Sequence, residues 1–190
     1  MFNLIVIHEP GTDNWRWARN QLREVLGTSG RIITSYQSVM LYHVEGDPHQ
    51  VAEGLRAALK GSGTPIIRII PVDHVVEPYV DEVADVVKEI ATQIPEGSSF
   101  RITLQGHLIS VCPDGRRRFM HSIDSIREIA KYVERPVNLE NPDWVILIKV
   151  VKVSRGRRAA AVALLKPAEL VNLRDYPQAG SVGEELGEQM

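Results

Sequence analysis

The chain of 190 residues holds one cysteine, Cys112, which excludes an intrachain disulfide framework and suits a reducing, cytoplasmic compartment. It has no basic-then-apolar leader and no apolar run long enough to span a membrane, so neither a signal peptide nor a membrane helix is expected. The six histidines, His8, His43, His49, His74, His107 and His121, show no ligand-like spacing with each other or with Cys112, and no metal site is expected. A nucleophile-elbow motif is also missing. The glycine pairs Gly27/Gly30 and Gly61/Gly63 follow expected helices rather than strands, so they read as helix stops and not as phosphate loops. What remains is a soluble globular composition, 44% apolar and 24% charged, in a chain long enough for one ordinary domain or two small ones.

The net charge of −2 conceals a strong segregation. Residues 1–99 carry 8 Lys+Arg against 13 Asp+Glu, residues 100–167 carry 13 against 6, and residues 168–190 carry 1 against 5. A basic middle between acidic ends points to a polyanion partner for one region only.

The first 72 residues read strand, helix, strand, strand, helix, strand. Residues 2–7 form an apolar run broken at Pro10 and Gly11. Asp13 is expected to cap a helix whose Trp15, Ala18, Leu22, Val25 and Leu26 fall three and four apart. Residues 32–33 and 39–44 give two strands, Asp47-Pro48 opens a second helix, and residues 66–70 give a fourth strand. This βαββαβ order predicts an α+β fold with an N-terminal ferredoxin-like domain.

In the second half a helix is expected over residues 78–94, with Val80, Val83, Val87, Ile90 and Ile94 on one stripe. Phe100, Ile102 and Leu104 alternate with Arg101, Thr103 and Gln105, so Arg101 should point away from the core. Ser122 is expected to cap the next helix, with Ser125 and Glu128 as a capping box and Ile123, Ile126, Ala130 and Val133 facing inward. Asn141-Pro142-Asp143 fixes a bend before residues 144–151, an apolar run interrupted only by Lys149, which reads as a central strand buried on both faces. A basic hairpin leads to a strand over residues 159–165. Residues 168–190 are expected to form an acidic tail, partly disordered from Gly180.

The strongest chemical constellation is electrostatic. Arg101, Arg116, Arg117, Arg118 and His121 lie near the start of a helix, with Ser122 at its entrance, where unpaired backbone N–H groups attract phosphate. Lys149, Lys152, Arg155, Arg157 and Arg158 come from the adjoining hairpin, and pairing of the strands would set both clusters along one groove. Such contacts give salt-dependent affinity with little base specificity. His107 and Phe119 are candidates for stacking on an unpaired base, although Phe119 reads first as a core residue. No catalytic residue is assigned. Two other readings stay open: a small RNA-processing hydrolase using His107 or His121, and a protein-interaction module with a basic docking face.

Several motifs carry a family resemblance. Arg68-Ile69-Ile70-Pro71-Val72-Asp73, Glu96-Gly97 before Phe100-Arg101, Asn138-Leu139, Asn141-Pro142-Asp143-Trp144 and Leu165-Lys166-Pro167 resemble the stand-alone THUMP-domain proteins. These act as tRNA-binding adaptors for N4-acetylcytidine formation. The resemblance implies a ferredoxin-like domain over residues 1–72 and a THUMP domain over residues 73–167, gripping the acceptor end of tRNA. It further implies no cofactor on this chain, since no dinucleotide, deaminase or sulfur-transfer motif is present. A tRNA cytidine acetyltransferase in trans would use acetyl-CoA and ATP. Arg101 and the helix entrance at His121-Ser122 match the family pattern, whereas residues 105–120 depart from it as an insertion carrying the triple arginine.

Overall fold

In the computed structural model, which describes residues 1–175, the chain divides into two units. One comprises Met1–Pro71 with the C-terminal segment that begins at Ala168, the other Val72–Pro167. No helix among the described residues is long and apolar enough to cross a membrane.

The first unit runs β1 (Leu4–His8), α1 (Thr12–Leu26), β2 (Gly30–Tyr36), β3 (Val39–Val44), α2 (Pro48–Leu59) and β4 (Ile66–Pro71). Its strands form an antiparallel sheet in the order β2-β3-β1-β4. Leu4 and Val6 of β1, Met40 and Tyr42 of β3 and Ile66 and Ile69 of β4 bury against Ala18 and Leu22 of α1 and Ala52 and Leu55 of α2. The start of α2 follows from its sequence: the Asp47 carboxylate accepts from His49 N–H at 2.9 Å, and Pro48 occupies the first helical position, where its missing donor costs nothing. At α1 the outcome differs. Gly11 stands at the cap and Asp13 lies inside the first turn, where its charge still complements the positive helix end.

The C-terminal segment, read from sequence as a tail, is tied to this unit as far as it is described. Two 3-10 turns, Pro167–Leu170 and Leu173–Asp175, form there. Leu173 is buried in the same apolar cluster. Asn172 Oδ1 accepts two bonds from Arg68 at 2.9 and 3.1 Å, and Glu169 meets His49 at 2.9 Å. The expected disorder from Gly180 onward lies outside the described residues.

The second unit contains β5 (His74–Val76), α3 (Val80–Ala91), β6 (Phe100–Gln105), the hairpin β7 (Ile109–Val111) and β8 (Arg117–Phe119), α4 (Ser122–Ala130), β9 (Trp144–Ser154) and β10 (Arg157–Leu165). Its main sheet has the order β5-β10-β9-β6, with β6 and β9 parallel and the other pairs antiparallel. Asp143 prepares the entry to β9, its carboxylate accepting from Ser99 N–H at 2.9 Å and from the Ser99 hydroxyl at 3.1 Å.

Ile146 and Ile148 of β9 pack with Val83, Val87 and Ile90 of α3 and Ile129 of α4, while Val145, Leu147 and Val151 on the other face are buried as well. Burial on both faces is why this strand lacks polar alternation. The start of α4 departs from expectation. His121, not Ser122, stands at the cap, in extended conformation (φ −61°, ψ 142°) and without a side-chain cap bond. Ser125 is buried inside the helix and Glu128 reaches Lys131, so the capping box does not form. Of the expected inner stripe Ile126, Ala130 and Val133 do pack against the core, whereas Ile123 points to solvent at 61% exposure and Ser125 and Ile129 join the inner side, four apart on one helix face.

Candidate nucleic-acid interface

Residues 105–120 fold as a hairpin docked on the second unit. Gly106 turns the chain with φ 97°, and a Cβ there would stand 2.9 Å from Val150 Cβ, so only glycine lets this loop lie against β9. Leu108 is fully buried and anchors the base of the hairpin. Ile109 N–H donates to Pro78 C=O at 2.8 Å, and Met120 N–H donates to Leu108 C=O at 2.9 Å. At the tip, Cys112 N–H donates to Arg116 C=O, Gly115 N–H donates to Cys112 C=O, and the Asp114 carboxylate accepts from Arg116 N–H.

This geometry presents the three arginines differently. Arg117 pairs with Val111, and its guanidinium carbon lies 5.5 Å from the centre of the Tyr79 ring, a cation–π contact that holds it in place. Arg118 pairs with Ser110 and projects from the other face, as the next residue along a strand must. Arg116 is 87% exposed with Asp114 at 3.4 Å, an ion pair of little energetic weight. Phe119, expected in the core, is 68% exposed: β8 belongs to a two-stranded hairpin outside the main sheet, so its outer face has nothing to cover it. Its ring meets exposed His107 edge-on at 6.3 Å.

The second arginine cluster lies at the turn between β9 and β10. Arg155, Arg157 and Arg158 are exposed. Arg157 donates to Glu77 at 3.2 Å, and Arg158 stands opposite Lys152. Lys149 donates to Gln105 at 3.0 Å at the ends of the parallel strands. Residues 77–79 therefore join the clusters, with Glu77 on Arg157 and Tyr79 under Arg117. Tyr79 also caps α3. His121 and Ser122, at the opening of α4, follow directly from β8, so this region carries helix starts as well as arginines.

Arg101 does not join them. It is exposed as expected, but it pairs with Val145 while Arg157 pairs with Ser154, a separation along β9 of roughly 30 Å at about 3.3 Å per residue. Its guanidinium donates to Leu139 C=O at 2.8 Å. The charge segregation also sharpens. The unit Val72–Pro167 carries 14 Lys+Arg against 13 Asp+Glu, because residues 72–99 add seven carboxylates and one lysine, so the excess of positive charge belongs to residues 100–167 and not to the whole unit. Glu77 and Tyr79 were missed from sequence. The signal was the β-branched pair Val75-Val76 before Pro78, which marks the short strand β5.

No protein-family description matches the sequence, and no curated protein matches it. Solved structures do match. They include PH1313 from Pyrococcus horikoshii (18% identity, TM-score 0.60, 87% of this chain and 55% of that one), a 4-thiouridine synthetase in complex with RNA and ATP (11%, 0.54, 87% and 42%) and TrmN from Thermus thermophilus (13%, 0.52, 90% and 46%). The chain shares its α+β fold with these proteins and spans about half the length of each.

Proposed function

We propose that this chain is a THUMP-type tRNA-binding adaptor, not itself an enzyme, with a ferredoxin-like N-terminal unit, and that it presents the acceptor end of tRNA to a separate modifying enzyme. The observation that carries the reading is the meeting of the two arginine-bearing hairpins at residues 77–79, with Arg117 over Tyr79 and Arg157 on Glu77. Two groups of arginines on paired strands and their turns suit successive phosphates of one backbone. The fold shared with a synthetase crystallised with RNA supports the same ligand class, and the strand order β2-β3-β1-β4 supports the ferredoxin-like assignment. In this reading the enzyme served is a cytoplasmic tRNA cytidine acetyltransferase using acetyl-CoA and ATP, and this chain holds no cofactor.

The test is binding of purified protein to intact tRNA and to the same tRNA lacking its 3′-terminal nucleotides, across a salt series. Affinity should fall on trimming, and the difference should persist at high salt, where phosphate contacts are weakened. Equal, steeply salt-dependent binding would reduce the site to a polyanion surface, and no binding to either would sink the reading. The adaptor role has its own check: incubated alone with end-labelled tRNA the protein should leave the RNA unchanged, and cytidine acetylation by the partner enzyme should depend on its presence.

A further inference from the structure

A cleft of about 220 Å³ opens between the start of α3, strand β7 and the last turn of α4. Its walls are apolar and aromatic, from Tyr79, Ile109, Val111 and Met120. Its polar lining residues are Ser110, Asp81 and Glu128, with no lysine or arginine among the lining residues. Arg117 lies over the ring of Tyr79, so a cleft rich in acceptors adjoins the arginine cluster. A space this size is smaller than the roughly 300–1,000 Å³ that takes a drug-sized ligand, which suits a single aromatic ring system.

The acceptors restrict which ring. An ionised carboxylate only accepts hydrogen bonds, so the ligand edge must donate. Guanine presents N1–H and N2–H side by side, two parallel donors for one carboxylate. Adenine and cytosine set their amino group beside a ring nitrogen lone pair, and uracil flanks its single N3–H with two carbonyl oxygens, so each turns an acceptor toward the carboxylate. Lys131 donates to Glu128 Oε2 at 2.8 Å, and lone pairs on both carboxylate oxygens remain for such a donor edge. The same bond raises the Lys131 ammonium above its ordinary value.

We propose that this cleft receives one unpaired guanine of the bound RNA, its edge donating to Glu128 or Asp81 and its ring lying against the side chains of Tyr79 and Ile109, neighbours across a β-bridge, with the adjoining phosphates on Arg116 to Arg118. The inference rests on the RNA-binding reading and adds base selection to it.

The experiment is a fluorescence-anisotropy titration of the full chain with labelled oligouridines carrying one central guanosine, adenosine or cytidine, beside oligouridine alone, at one salt concentration. The guanosine oligomer should bind about tenfold more tightly than the rest, within the range of one bidentate base contact. The double variant Glu128→Gln/Asp81→Asn, isosteric and confined to the surface, should bring it level with the others, whereas Arg118→Ala should lower all four alike. Equal binding of the four oligomers by the unaltered protein, or a guanosine preference that survives the double variant, overturns the cleft assignment and leaves RNA binding standing. Failure of every oligomer to bind, with intact tRNA still bound, would likewise overturn the cleft assignment, whereas failure of tRNA to bind as well would remove both.

Discussion

Alanine in place of Arg116, Arg117 and Arg118 is expected to weaken tRNA binding on the order of tenfold to a hundredfold, and to do so alike for tRNAs of different sequence. The uniformity follows from phosphate contacts, which set register and affinity without reading bases. A plot of log affinity against log salt should become shallower by about 0.9 for each duplex phosphate that no longer meets an arginine. The three residues are not equivalent. Arg117 is pre-positioned over Tyr79 and loses little freedom on binding, so its removal should dominate the triple variant. Arg116, highly exposed and facing Asp114, should contribute least. Arg101→Ala is the internal control: far along β9 and bonded to Leu139, it should leave affinity and slope unchanged. A triple variant with an unaltered salt slope would remove the hairpin from the interface.

Phe100→Ala should destabilise the second unit by about 3–5 kcal/mol, a large share of the roughly 5–15 kcal/mol that holds an ordinary domain together. Phe100 is 1% exposed in the cluster between α3, α4 and the sheet. Its backbone also ties down the loop between α4 and β9, N–H donating to Pro136 C=O and C=O accepting from Asn138 N–H. Chemical denaturation reads the loss, and hydrogen exchange should locate it in the β6–β9 pair. Phe119→Ala is the contrast. At 68% exposure it should change stability by less than about 0.5 kcal/mol while weakening any RNA contact that uses its ring. A comparable loss of stability at both positions would mean that the hairpin packs into the core and does not stand outside it.

Much of the fold was legible because its signals are local. Asp47-Pro48 marks a helix start wherever it folds, since the cap bond and the missing proline donor involve only neighbouring residues. The nearly unbroken apolar run at the start of β9 carries its own evidence of burial on two faces. The apolar stripe of α3 appears as read, with Val80, Val83, Val87 and Ile90 buried, because a period of 3.6 is written in the spacing itself. At α4 the same reasoning misplaced the start by one residue and turned Ile123 inward when it faces solvent.

Most of the succession of strands and helices, the short strand β5 excepted, together with the outward direction of Arg101 and the presence of a basic middle, was written in the sequence, because periodicity, caps and charge are properties of neighbouring residues. Which of those charges meet was settled only by packing at long range. The parallel pairing of β6 with β9 sends Arg101 to the far end of the strand, the docking of β7 and β8 on residues 77–79 brings Arg117 to Tyr79, and the segment from Ala168 to Asp175 returns to the first unit. These outcomes rest on hydrogen bonds and burial between residues far apart in the chain, and no local pattern encodes their register.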